Sequence, residues 1–178
     1  FATLAGKTAE NAGATFKYQT SYENVAEIVK KYVPAFVVEL EKLYALIIFN
    51  YLFSNGDAHL KNFSLLETSF GDHILSPAYD LVNSRIHVDD SDFALKGGLF
   101  KDGFESTEMK NNKHAGRDDF HEFAKRLGIN DKRRDKLLEP FLAEQTMVEE
   151  LIRRSFLNDQ TKKEYLWYYQ TRRVQLNA

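Results

Sequence analysis

The chain has no cysteine among its 178 residues, which excludes disulfides, thiolate nucleophiles and cysteine-ligated metal sites. It has no long apolar run either. The longest uncharged apolar run, Leu43 to Phe53, falls far short of the ~20 residues that span a bilayer. No secretory signal opens the sequence, and these absences together point to a soluble, cytoplasmic chain without membrane contact. There is little excess charge of either sign: the net charge of −2 draws the chain neither to nucleic acid nor to anionic lipid. The five histidines include no H-E-x-x-H spacing, which argues against zinc. No serine lies in a G-x-S-x-G elbow, which argues against a serine hydrolase. Internal repeats and low-complexity segments are also missing.

What is present is apolar bulk. Hydrophobic residues make up 43% of the chain, and fourteen Phe and nine Tyr promise a core of large side chains. The length suits one domain, residues 1–178. Residues 1–112 carry 10 basic and 15 acidic side chains, and residues 113–178 carry 14 and 11. An acidic first part suits metal-binding carboxylates. Phe1-Ala2-Thr3-Leu4-Ala5 reads like the interior of a helix that Gly6 stops, so the sequence reads as a piece of a longer protein.

Helical periodicity dominates. Thr8 to Thr20 reads as a loop, after which Ser21 can cap a helix over Tyr22–Tyr32 with Val25, Ile28 and Val29 on one face. The strongest pattern covers Pro34–Ser54, with Pro34 in the first turn and a second half apolar all round, as in a helix buried in a core. Lys101 to Asn112 reads as a mobile surface loop. Arg117 begins a further helix closed by Gly128. Another starts near Asp131, kinked at Pro140, with Leu137, Leu138, Phe141, Leu142, Val148, Leu151 and Ile152 inward, and a last one runs over about 161–176. Asp89-Asp90-Ser91-Asp92 lacks the Gly and distal Glu of a calcium loop and reads as a solvated acidic turn. Lys96-Gly97-Gly98 has no phosphate-loop spacing and reads as a plain turn. The pairs Arg133-Arg134, Arg153-Arg154 and Arg172-Arg173, near the aromatic run Tyr165 to Tyr169, suggest nucleic-acid binding. Solvated helix faces and a packed aromatic seam explain them better, and Trp167 can alternatively meet a partner protein.

The chemistry concentrates between Phe49 and Asp80. Asn55-Gly56-Asp57-Ala58-His59-Leu60-Lys61-Asn62 follows the buried helix, and Ser76-Pro77-Ala78-Tyr79-Asp80-Leu81 follows the strand-like run His73-Ile74-Leu75. The order is helix, polar loop, β-hairpin, polar loop. Asp57 and Asn62 stand at the offset of Asp and Asn in the kinase catalytic loop H-R-D-x-x-x-x-N. A carboxylate there can orient an attacking hydroxyl, an amide oxygen can ligate Mg²⁺ without adding charge, and a second carboxylate can complete the oxygen shell. Asp80 is placed for that last part, and His59 and Lys61 offer donors for phosphate. On spacing alone, a helix-ending turn followed by a purely structural hairpin accounts better for these residues than a catalytic site does.

The strings Asn55-x-Asp57-x-His59-x-Lys61-Asn62-Phe63-Ser64 and Leu75-Ser76-Pro77-x-Tyr79-Asp80-Leu81 resemble the signature of the HipA family, over about residues 1–128. These are bacterial serine/threonine protein kinases known as toxins of toxin–antitoxin pairs. The resemblance implies a mainly α C-terminal lobe of a protein-kinase-like fold, with a small β-hairpin between catalytic and metal-binding loops. It implies ATP and Mg²⁺ as cofactors and a protein serine as acceptor. It assigns Asp57 as catalytic base, Lys61 and His59 against the phosphates, Asn62 and Asp80 as Mg²⁺ ligands, and Tyr79 beside the nucleotide. An aminoacyl-tRNA synthetase as substrate and a helix-turn-helix antitoxin as partner are what family members suggest; direct nucleic-acid contact is not expected. No Gly-rich loop precedes this segment, so the N-terminal nucleotide-binding lobe is expected to lie outside it, and the chain alone is expected to bind ATP weakly and to be inactive. Two alternatives stay open: a small-molecule phosphotransferase of the aminoglycoside type, and an inactive lobe kept as an antitoxin- or partner-binding module.

Overall fold

A computed structural model describes residues 1–177, almost all helix and loop. The helices are α1 (Ala9–Ala12), α2 (Tyr22–Tyr32), α3 (Phe36–Leu52), α4 (Thr107–Asn112), α5 (Arg117–Leu127), α6 (Asp131–Leu142), α7 (Thr146–Arg154) and α8 (Asp159–Asn177). Strands β1 (Leu65–Glu67) and β2 (His73–Leu75) form an antiparallel hairpin with Leu65 opposite Leu75, Leu66 opposite Ile74 and Glu67 opposite His73. A mainly helical lobe with one small hairpin is therefore what the sequence folds into. Among the described residues, no helix is long and apolar enough to cross a membrane.

Helix α3 is the axis of the core. Leu43, Tyr44, Ile47, Ile48 and Tyr51 are almost wholly buried along it, and α2, α5, α6 and α8 pack around it. Its neighbours bring Val25 and Val29 from α2 and Phe120, Phe123 and Ala124 from α5 into the same cluster. The aromatic residues interlock in two ways: Tyr51 and Phe120 meet edge to face with centroids 5.2 Å apart, and Tyr44 stacks on Phe123 at 6.1 Å. Ser21 caps α2 by accepting from the Asn24 amide, and Gly128 ends α5 in the left-handed region at φ 86°.

Several boundaries differ from the sequence reading, each for a local reason. Phe1–Lys7 is a turn rather than a helix end, although Phe1 and Ala2 are buried. The expected loop at Thr8–Thr20 contains α1 and a 3-10 turn, Phe16–Tyr18. Helix α3 starts at Phe36, so Pro34 lies just ahead of it. Residues 107–112, expected to be loop, form α4, because Ser106 accepts from the Met109 amide and supplies its cap. The long helix expected from Asp131 breaks at Ala143 instead of kinking at Pro140, and Leu151 turns out exposed while Ile152 is buried. The acidic turn at 89–92 is solvated only in part. The Asp92 carboxylate is buried and pairs with the equally buried Arg172 guanidinium, with His114 Nδ1 at 2.8 Å and Arg85 at 3.7 Å. Arg172, expected on a wet face, also lies 4.9 Å over the Tyr51 ring.

Candidate active site

The loop that leaves α3 is fixed at both of its faces. Ser54 takes the left-handed conformation at φ 53°, which turns the chain off the helix. Asn55 is buried, and its amide nitrogen donates to Asn50 Oδ1 at 2.8 Å and to the Asp80 carbonyl at 3.1 Å, so one side chain spans both polar loops. Gly56 donates its N–H to Ser84 Oγ at 2.8 Å. A Cβ at Gly56 would stand 2.4 Å from Asp90 Cβ and 2.8 Å from the Ser91 carbonyl oxygen, which is why this position is glycine. From the far side, the buried Tyr22 hydroxyl donates to the Ala58 carbonyl at 2.8 Å.

The hairpin is held to α3 by a buried carboxylate. Glu39 accepts from the Leu75 amide at 2.9 Å and from Lys42 Nζ at 2.6 Å. It thereby sets where Ser76–Asp80 emerges. Asp80 itself sits at φ 57°, a conformation that costs a non-glycine residue energy and that clusters at functional sites.

The three oxygen-bearing residues form one connected set. Asn62 Oδ1 accepts from the His59 amide at 3.0 Å, and Asn62 Nδ2 donates to Asp80 Oδ2. Asp57 Oδ2 lies 3.9 Å from His59 Nε2, with the Asp57 side chain about half open to solvent at 46%. Asn62 and His59 are buried, whereas Lys61, Tyr79 and Asp80 are exposed on the same side. Tyr79 donates its hydroxyl to the Lys61 carbonyl at 2.7 Å, and Lys61 Nζ rests 5.3 Å above the Phe16 ring. Beside them opens a cavity of about 400 Å³, with Phe16, Lys61, Phe63, Ser64 and Tyr79 in its wall.

His59 is neutral in character: burial lowers its pKa, Lys17 lowers it further, and Asp57 opposes them. Its Nε2 meets Lys17 Nζ at 2.6 Å, so Nε2 is the accepting nitrogen. The Asp57 carboxylate accepts on Oδ1 from the Tyr18 hydroxyl at 2.8 Å. Lys17 and Tyr18 carry no signal in the sequence. They stand about forty residues ahead of the loop, inside a polar stretch with no periodicity.

Asn62 and Asp80 fit a hard cation. Both offer oxygen, and the Asn62 carbonyl keeps a second lone pair beside its bond to His59. Among the described residues, no group of three or more His, Asp or Glu side chains is arranged to cage a metal. Two protein ligands suit Mg²⁺, which keeps waters and takes phosphate oxygens for the rest of its shell. Ligating one ion with both side chains would replace the Asn62–Asp80 hydrogen bond.

Comparison with known proteins bears on the same stretch. Residues 1–153 match the family model described as the HipA-like C-terminal domain. A protein of Haemophilus influenzae named "Putative kinase" is 28% identical over 152 residues, covering 82% of this chain and 44% of that protein. A protein of Sinorhizobium fredii named "Putative kinase Y4dM" is 32% identical over 82 residues, covering 46% of this chain and 16% of that protein. The chain thus spans less than half the length of these curated relatives.

Proposed function

The chain belongs to the HipA-like C-terminal domain family, a kinase-like family, and on that premise we propose that it is the catalytic lobe of a protein kinase that moves the γ-phosphoryl group of ATP to a serine hydroxyl. The observation that carries this reading is the linked set Asp57–His59–Asn62–Asp80, in which the Asp57 carboxylate lies by the His59 ring, the His59 backbone amide donates to Asn62 and the Asn62 amide donates to Asp80.

In this reading, Asp57 accepts or orients the proton of the acceptor hydroxyl, for which its open carboxylate is suited. Asn62 and Asp80 would hold Mg²⁺, and Lys61 and Tyr79 line the nucleotide side. When bound, that ion would supply charge neutralisation, the main requirement of phosphoryl transfer. The rest is positioning. Asn55 keeps the two loops in register, Tyr22 and Ser84 pin the first loop, and Glu39 pins the hairpin. The serine acceptor, a helix-turn-helix antitoxin partner, an aminoacyl-tRNA synthetase substrate and a cytoplasmic setting belong to the same proposal. They rest on the family resemblance.

The test uses the full-length protein that contains this chain. Asp57→Asn and Asp80→Ala should each lower the rate of phosphoryl transfer from ATP by orders of magnitude while the thermal midpoint stays near that of the parent. Retention of near-parental transfer by either variant would sink the assignment. Transfer to small alcohols but not to protein would instead favour the small-molecule phosphotransferase reading.

A further inference from the structure

We propose that the 3-10 turn Phe16–Tyr18 is a working part of the transfer site, with Tyr18 positioning the Asp57 carboxylate and Lys17 supplying a fixed positive charge beside it. This rests on the kinase reading above and deepens it.

The geometry is asymmetric in a way that matters. Tyr18 donates to Asp57 Oδ1 at 2.8 Å, so that oxygen is occupied, and its ring packs 5.2 Å from the His59 ring, edge to face. Among the described residues, Asp57 Oδ2 has no hydrogen bond and only the His59 edge nearby, at 3.9 Å. A carboxylate held by one oxygen presents the other in a defined direction. Oδ2 is therefore the atom an acceptor hydroxyl reaches, and Tyr18 decides where it points.

Lys17 completes the arrangement. The His59 side chain is only 7% exposed, and its Nε2 is taken by Lys17 Nζ at 2.6 Å. A ring nitrogen that accepts from a lysine ammonium has no proton on that edge to give to a phosphate oxygen. The cation on that edge is the Lys17 ammonium, which meets the same Nε2 that lies 3.9 Å from Asp57 Oδ2. It is held from two directions, by His59 and by the Tyr18 ring 4.8 Å beneath it. The phosphate role expected for His59 is then exercised by Lys17, with His59 as its seat. Lys61, exposed and resting on Phe16, is the second cation, and that same turn supports it.

Removing the Tyr18 hydroxyl takes one hydrogen bond from a charged acceptor, a loss equivalent to about ten- to a hundredfold in rate. In the full-length protein, Tyr18→Phe should lower kcat by that factor. KM for ATP, the Kd for Mg-ATP measured by titration calorimetry and the thermal midpoint should stay within about twofold or a degree or two of the parent. Lys17→Met should lower kcat and also weaken Mg-ATP binding, and Lys17→Arg, which keeps the charge, should recover part of both. Asp57→Asn serves as reference. If Asp57→Asn abolishes transfer while Tyr18→Phe and Lys17→Met leave kcat within about twofold, the turn has no working role and the kinase reading stands. If Asp57→Asn itself retains activity, the kinase reading fails first. A fall in kcat of Tyr18→Phe matched by an equal loss of Mg-ATP binding would assign Tyr18 to general packing and overturn its positioning role.

Discussion

At the scale of single residues, the site depends on atoms that are present and on one that is absent. Gly56 lets the 89–92 segment lie directly against the loop over residues 55–62, and any Cβ there collides with backbone as well as side chain. Gly56→Ala should therefore displace the loop, costing about 1–3 kcal/mol as overpacking does, and activity should fall with it. A denaturation midpoint and transfer rate equal to the parent's would contradict the close approach. His59 and His121 are both held below the ordinary imidazole value of 6.5, chiefly by burial. The unfolded chain then binds protons more readily than the folded one. The stability contributed by keeping them neutral is fully present above about pH 6.5 and is lost as pH falls through the lower folded values. Thermal midpoints should be flat near neutrality and decline below about pH 6.5. A midpoint that rises on acidification from pH 7 to pH 5.5 would show that these imidazoles are not held neutral.

At the scale of elements, α3 and the hairpin act as one support. The second half of the helix is apolar enough to be surrounded, and the buried Glu39 of its first half binds β2 through the Leu75 amide. Glu39→Ala leaves a buried N–H without a partner, at a cost of about 1–3 kcal/mol. Because the hairpin delivers Asp80, Mg-ATP affinity should drop along with stability. Hydrogen exchange at Leu75 is the direct check: unchanged protection in Glu39→Ala would mean the carboxylate does not hold the strand. The same residue shows where sequence reading reaches its limit. Periodicity placed position 39 on the buried helix, but nothing local to a glutamate announces a partner 36 residues away.

At the scale of the whole molecule, the last helix is tied to the first loops by charge. Arg172 on α8 and Asp92 are 5% and 9% exposed, and the segment carrying Asp92 is the one that presses on Gly56. Arg172→Met should cost about 1–3 kcal/mol, since it takes a charged hydrogen-bond partner from a buried carboxylate that keeps His114 and Arg85. The double variant Asp92→Asn with Arg172→Met should recover part of that loss. Strict additivity of the two single losses in chemical denaturation would show the pair is not coupled.

The sequence by itself determined the helical class, the α3 core, the hairpin, and the positions of Asp57, Asn62 and Asp80 in two polar loops. Those features are written in short-range spacing, which a chain reads locally through helical periodicity and turn chemistry. Only the tertiary structure decided that Lys17 and Tyr18 join those loops, that Glu39 and Asn55 lock them together, and that Asp92 and Arg172 leave the solvent. Each of these is a polar contact between residues far apart in the chain. Its stabilising effect appears only once folding removes both partners from water, and no local pattern encodes that event.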